Sequence, residues 1–123
     1  MKVLNLIIKQ SWFDKILSGE KTQEFREIKP TTYKRYIELD ENGFDKEDGN
    51  GNSIPIKYDA IRFYVGYNKD RDSMLVEVKD AYTEIFVDDE GEWIWYEYGG
   101  QDWVAQQVVY NLGKILKTDI HKK

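Results

Sequence analysis

The sequence predicts an α+β fold: a small mixed β-barrel of about six strands with one or two short helices. Several segments alternate apolar and polar residues with the period of two that is typical of half-buried strands. Aromatic residues make up 15% of the chain, and their side chains suit strands. One short segment near the N-terminus has helical spacing of its apolar residues instead.

The first half of the sequence predicts two strands and two helices. Residues 3–9 form an apolar run, which predicts a strand buried on both faces. Ser11 is the predicted N-cap of a two-turn helix, and Gly19 is predicted to end that helix. Residues 21–28 alternate and predict a second strand. Residues 31–37 predict a short helix.

The second half predicts strands separated by turns. Residues 58–67 and 73–87 alternate and predict a strong strand and a long or bent one. Residues 88–91 predict a turn. The aromatic segment 93–98 is compatible with three roles: part of the hydrophobic core, a platform on which a ligand stacks, or an interface with another protein. Residues 104–116 predict the last strand.

The length predicts one domain. At 123 residues the chain is close to the commonest domain size, so we expect a single domain over residues 1–123. Residues 40–53 are polar and rich in Gly and Asn, which predicts a flexible insertion. Their acidic pattern matches a calcium-binding loop poorly, because Asp59 stands where a glutamate is needed, so we interpret them as a solvated loop.

Composition excludes several classes of site. The chain has no cysteine, which excludes disulfide scaffolds and thiolate zinc sites. His121 is the one histidine in the sequence and lies in a Lys-rich tail, which excludes a histidine-based catalytic triad and a metal site with several histidine ligands. We therefore expect no metal and no cofactor. No apolar run approaches the ~20 residues that span a bilayer, and residues 1–10 do not resemble a signal peptide. A cytoplasmic protein without a membrane partner is expected, with its oligomeric state open.

Charge is unevenly distributed along the chain. The net charge is −5, which argues against a protein that coats nucleic acid by phosphate neutralisation alone. Residues 1–36 nevertheless hold eight Lys and Arg against four Asp and Glu, a balance of +4. This local excess favours a small anionic ligand near the N-terminal third.

A cluster of charged residues follows Gly19. Alternation places Thr22, Glu24 and Arg26 on one face of the second strand and Lys21 on the other. Same-face neighbours lie roughly 7 Å apart, so Glu24 and Arg26 either hold each other or share a ligand. A purely structural salt-bridge network is the alternative, and exposed pairs of that kind contribute only ~0–1 kcal/mol.

This cluster has a familiar form. Residues 16–30, ILSGEKTQEFREIKP, resemble the signature of the ASCH domain, a family of the PUA-like superfamily, in which Gly-x-Lys-Thr follows a helix and precedes an acidic residue and an arginine. The segments YDAIRFYVGY and VVYNLGKIL resemble later strands of that family, in the same order. The resemblance covers nearly the whole chain. It implies a compact PUA-like barrel with a cleft beside the Gly-x-Lys-Thr turn.

The resemblance implies a ligand, because the family is associated with binding RNA or nucleotides. The first hypothesis is therefore a module that binds a nucleotide, a modified nucleoside or a short single-stranded RNA in a cationic cleft. Lys21 and Arg26 supply charge, Glu24 accepts from a base amine, and Tyr64 either stacks a base or lies inside the barrel. The candidate ligand-binding residues are Lys9, Lys21, Thr22, Glu24, Arg26 and Tyr64.

The alternative is a metal-free amidohydrolase that acts on an acylated nucleoside such as acetylcytidine. One branch of small bacterial members has this activity, and the resemblance implies that it uses a lysine at the place of Lys21 and a threonine three residues later. This chain has Glu24 there, a departure from that branch. Lys21 would act as base or nucleophile and Glu24 as proton carrier. A third hypothesis is a protein-interaction domain that uses the aromatic residues near Trp95.

Overall fold

The chain is a mixed α+β protein made mostly of strands. A computed structural model describes residues 1–121. Within them no helix combines the length and the apolar character needed to cross a membrane. The elements, in chain order, are β1 (Val3–Ile8), α1 (Gln10–Leu17), β2 (Gln23–Glu27), α2 (Tyr33–Tyr36), β3 (Ala60–Val65), β4 (Ser73–Ile85), β5 (Trp95–Tyr98), β6 (Gln101–Val104) and β7 (Gln106–Asp119).

The strands form two sheets. Five strands are hydrogen-bonded in the order β1-β3-β4-β7-β2, and β5 pairs with β6 in a separate two-stranded sheet. Strand β1 runs parallel to β3, with Val3 opposite Ala60 and Ile8 opposite Val65, and β3 runs antiparallel to β4. This order begins at β1 and ends at β2, so the closed barrel stays a prediction.

The chain divides into two compact units. The first unit consists of Met1–Glu24, Lys57–Asp80 and the chain from Tyr110 onward, and the second consists of Phe25–Ile56 and Ala81–Val109. Strands β2, β4 and β7 each contribute residues to both units. The single domain expected over residues 1–123 stays a prediction.

Strand β1 buries only one face, which corrects the expectation of a strand buried on both. Leu4, Leu6 and Ile8 are buried, whereas Asn5 and Ile7 are exposed. Successive side chains of a strand point to opposite faces, and in the first unit only the face that carries Leu4, Leu6 and Ile8 is packed. An apolar residue such as Ile7 is therefore no evidence of burial.

Helix α1 begins two residues earlier than predicted. Its N-cap is Lys9, whose side chain makes no capping hydrogen bond, so the assignment of Ser11 as the cap is wrong. Gln10 already has helical geometry, which places Ser11 inside the first turn. The predicted end is confirmed: Gly19 has a φ of 83° and its N–H donates to Ile16 O at 3.1 Å. Only glycine adopts such a backbone without strain.

The second unit repeats one hairpin turn three times. Asp40, Asp48 and Asp88 each use Oδ1 to accept two backbone N–H groups, from the residues two and four positions later. A glycine with positive φ follows each aspartate by three positions. The predicted turn at 88–91 is thus confirmed. Segment 40–53 contains the other two turns, and its flexibility stays a prediction.

The aromatic segment 93–98 becomes half of a hairpin. Gly99 and Gly100, with φ of 60° and 78°, join β5 to β6 through a two-residue turn, and Tyr98 pairs with Gln101. Two consecutive positive φ angles match the hairpin turn whose twist suits the flanking strands. The predicted last strand, 104–116, is β7, and Val104 belongs to β6 instead.

Candidate functional site

A cavity of about 370 Å³ lies in the first unit beside the Gly-x-Lys-Thr turn. Gly19, Lys21 and Thr22 line it where α1 ends, and Gly113 and Lys114 line it from β7. The remaining wall is apolar apart from one serine and consists of Ile16, Leu17, Ser18, Val76, Leu112 and Ile115. The lining therefore includes two lysines and two hydroxyl-bearing residues, and the rest of the wall is apolar apart from glycine.

The Gly-x-Lys-Thr turn and the residue after it are tied to β7 by one backbone and one side-chain hydrogen bond. The Leu112 N–H donates to Thr22 O at 2.9 Å. Gln23 Nε2 donates to Asn111 Oδ1 at 2.7 Å, and Asn111 Nδ2 in turn donates to Asp80 Oδ1. These bonds hold the start of β2 next to β7 and so bring together residues about ninety positions apart.

Lys21 is held over the ring of Trp12 and against Glu24. Its Nζ lies 3.4 Å from Glu24 Oε1 and 5.2 Å from the centroid of Trp12. The side chains of Lys21 and Glu24 are 16% and 8% exposed, so the ion pair is largely withdrawn from solvent. The ammonium is thereby oriented by a carboxylate on one side and an aromatic face on the other.

The prediction that Lys21 and Glu24 lie on opposite strand faces is wrong. Strand β2 begins at Gln23, so Lys21 belongs to the turn that precedes it. Strand alternation does not extend into a turn, and the spacing of three residues lets the two side chains meet. Within β2 itself the alternation holds, since Glu24 is buried and Phe25 is exposed.

Strand β7 supplies a second cation that the sequence did not indicate. Lys114 lines the cavity, and its N–H donates to Glu77 Oε1 at 3.4 Å. The Glu77 side chain lies across Gly113, where a Cβ would collide with the Glu77 carboxylate. A glycine inside a strand is a signal of such close approach, and Gly113 in the segment VVYNLGKIL was the available clue to this part of the site.

The other candidate residues lie away from this cavity or in the second unit. Lys9 is exposed and precedes α1, where its carbonyl accepts from the Phe13 N–H at 3.0 Å. Tyr64 is half-buried, and its ring lies under the guanidinium of Arg71 at 3.9 Å. Arg26 is half-buried in the second unit. The structure thus brings Lys21, Thr22 and Glu24 together, and ligand contacts by the other three stay predictions.

A second cavity of about 480 Å³ in the first unit has a different character. Lys69 and Arg71 line it together with Asp70 and Asp72. Charges of both signs alternate along this loop, so the cavity has no preference for an anion or a cation. The cavity beside Lys21 is therefore the better candidate for a binding site.

The site shows no arrangement for a metal among the described residues. Within residues 1–121 no group of three or more His, Asp or Glu side chains is placed to hold a metal ion. The chain matches no family model, no curated protein and no solved structure. The resemblance to the ASCH family therefore stays a prediction that depends on the motif.

Proposed function

We propose that the first unit binds a nucleotide or the end of a short single-stranded RNA in the cavity beside the Gly-x-Lys-Thr turn, as an ASCH domain does. The observation that carries the proposal is the position of Lys21, oriented by Glu24 and Trp12 at the edge of the cavity. A volume of about 370 Å³ falls within the range of small-molecule sites and is suited to one nucleoside. The proposal includes a closed PUA-like barrel and a cytoplasmic location.

The charge of the first unit supports an anionic ligand. Its residues include thirteen Lys and Arg against nine Asp and Glu, a balance of +4, whereas the second unit has five against fourteen, a balance of −9. A cavity in the cationic unit attracts phosphate more than the net charge of the whole chain indicates. Lys21 and Lys114 are the groups that would pair with phosphate, and the apolar wall would receive the base.

Calorimetric titration with cytidine monophosphate, adenosine monophosphate and a short RNA tests this proposal. Lys21→Met and Lys114→Met should each weaken binding about tenfold, because each removes one charge-assisted hydrogen bond. Lys9→Met is the matched control, since it removes an exposed lysine that does not line the cavity. The proposal fails if no ligand binds at low salt, or if Lys9→Met weakens binding as much as Lys21→Met.

A second candidate function is the metal-free hydrolysis of an acylated nucleoside, which the short distance between Lys21 and Glu24 favours. In acetylcytidine, water would add to the acetyl carbonyl and the bond to the exocyclic nitrogen would break, releasing acetate and cytidine. A proton would first pass from the Lys21 ammonium to the Glu24 carboxylate; the neutral Lys21 amine would then take the proton from water, and Glu24 would carry its proton to the leaving nitrogen. Release of acetate, followed by proton NMR and abolished in Lys21→Met, would establish this activity; no release would exclude this substrate.

A further inference from the structure

The β5–β6 hairpin of the second unit gathers aromatic and acidic side chains on one face. Trp93, Trp95 and Glu97 alternate along the chain, so they share that face. On β6, Val104 lies opposite Trp95 and Asp102 lies opposite Glu97. We call these five residues the hairpin face.

The two indole rings of the hairpin face lie next to each other and are both exposed to solvent. The ring centroids of Trp93 and Trp95 are 6.0 Å apart with 36° between their planes. Trp93 is 44% exposed and Trp95 is 56% exposed. A contiguous exposed aromatic surface is uncommon on a monomer and is typical of an interaction site.

The hairpin face also places two carboxylates directly opposite each other. Glu97 and Asp102 are cross-strand partners, and both are exposed. Like charges in this position destabilise a hairpin. Residues 80–113 contain eight Asp and Glu but no Lys, Arg or His, so this segment supplies no cation to offset the repulsion. A cation from a binding partner would offset the repulsion between Glu97 and Asp102.

We propose that the hairpin face binds an extended basic segment of another polypeptide. In an extended chain, side chains two positions apart point the same way and lie roughly 7 Å apart, which is also the spacing of Trp95 and Glu97 along β5. One arginine or lysine of the partner lies over the Trp95 ring, and the cation two positions away lies between Glu97 and Asp102. The balance of −9 in the second unit attracts such a segment and repels nucleic acid.

The probe is a dye-labelled peptide of five Arg-Ser repeats, with five Glu-Ser repeats as its counterpart, measured by fluorescence anisotropy on the full chain. Glu97→Gln combined with Asp102→Asn should weaken binding of the arginine peptide about tenfold and reduce its dependence on salt. The same double variant should unfold at a slightly higher urea concentration, because it removes the cross-strand repulsion. Binding and stability then change in opposite directions, which loss of folding cannot produce.

A second variant tests the aromatic contact. Trp95→Ala should weaken binding about threefold to thirtyfold, the range of a cation over an indole ring. Glu20→Gln combined with Asp70→Asn changes the net charge equally at exposed sites in the first unit and should alter binding less than threefold.

Three results would overturn the proposal. The glutamate peptide could bind as tightly as the arginine peptide. The double variant of Glu97 and Asp102 could weaken binding no more than the double variant of Glu20 and Asp70. Sedimentation could show that the wild-type chain associates with itself while the Glu97 and Asp102 variant does not, which would make a second copy the occupant.

Discussion

The ion pair between Lys21 and Glu24 gives the most direct test of the candidate site. Two unit charges separated by 3.4 Å attract each other by about 5 kcal/mol at an effective dielectric constant of 20 and by about 1 kcal/mol in bulk water. The pair is 16% and 8% exposed, which places it between these limits. The cost of removing both charges from water offsets part of the attraction, so we expect a coupling free energy of about 1–2 kcal/mol.

A double-mutant cycle measures this coupling. Lys21→Met, Glu24→Gln and the combined variant would be compared with the wild type by urea unfolding, followed by circular dichroism. Both residues take part in further interactions. Each single substitution should therefore lower the free energy of unfolding by more than the coupling free energy of the pair. The combined variant should be destabilised by about 1–2 kcal/mol less than the sum of the single variants.

The exposed pair of Lys29 and Glu27 is the matched control. Its Nζ–Oε2 distance is 3.8 Å, and its side chains are 56% and 58% exposed, so its coupling should not exceed about 0.5 kcal/mol. If the coupling of Lys21 to Glu24 is no larger than that of the control, the carboxylate does not orient the ammonium. The proposed site would then lack its defining contact.

Three further predictions concern the fold around the two sites. Gly100→Ala should lower the free energy of unfolding by about 1–2 kcal/mol, because the φ of Gly100 is 78°. Gly49→Ala should be nearly neutral, because Gly49 does not have a positive φ and the space around it is open. Thermal unfolding of the two variants compares these effects. Phe13→Ala should lower the free energy of unfolding, measured in urea, by about 3–5 kcal/mol because the ring is fully buried. A decrease of less than about 1 kcal/mol would contradict the placement of α1. Burial, with a contribution from Glu27, raises the pKa of Tyr96. The phenol therefore contributes stability below about pH 10 that is lost as the pH rises further, and Tyr96→Phe should lose less stability than the wild type as the pH is raised above about 10.

The secondary structure followed from local signals wherever those signals were strong. Gly19 ends α1 because a positive φ is a property of one residue and its neighbours. Alternation over residues 58–67 matched β3, Ala60–Val65. The signal is weak at the start of α1, where a lysine without a capping hydrogen bond precedes the helix, and the sequence therefore wrongly predicts Ser11 as the N-cap.

The candidate site could be predicted only in part. Lys21 and Thr22 were found from a continuous motif, whereas Lys114 lies about ninety residues away and enters the cavity through the pairing of β7 with β2. The sequence does not predict the contact between Lys21 and Glu24, because β2 begins at Gln23, two residues later than predicted, and strand alternation does not extend to Lys21 in the preceding turn. Likewise, the opposition of Glu97 and Asp102 depends on the two-residue turn between β5 and β6.

The α+β class, the end of α1, the turn at 88–91 and the lack of any cysteine chemistry could all be read from the order of amino acids. These properties depend on residue type and on neighbours a few positions away, which the order of amino acids specifies directly. Only the folded chain shows that Gly113 and Lys114 of β7 line the same cavity as Lys21, about ninety residues earlier. Such contacts depend on strand boundaries and register, which are set by packing and hydrogen bonding between distant segments of the chain.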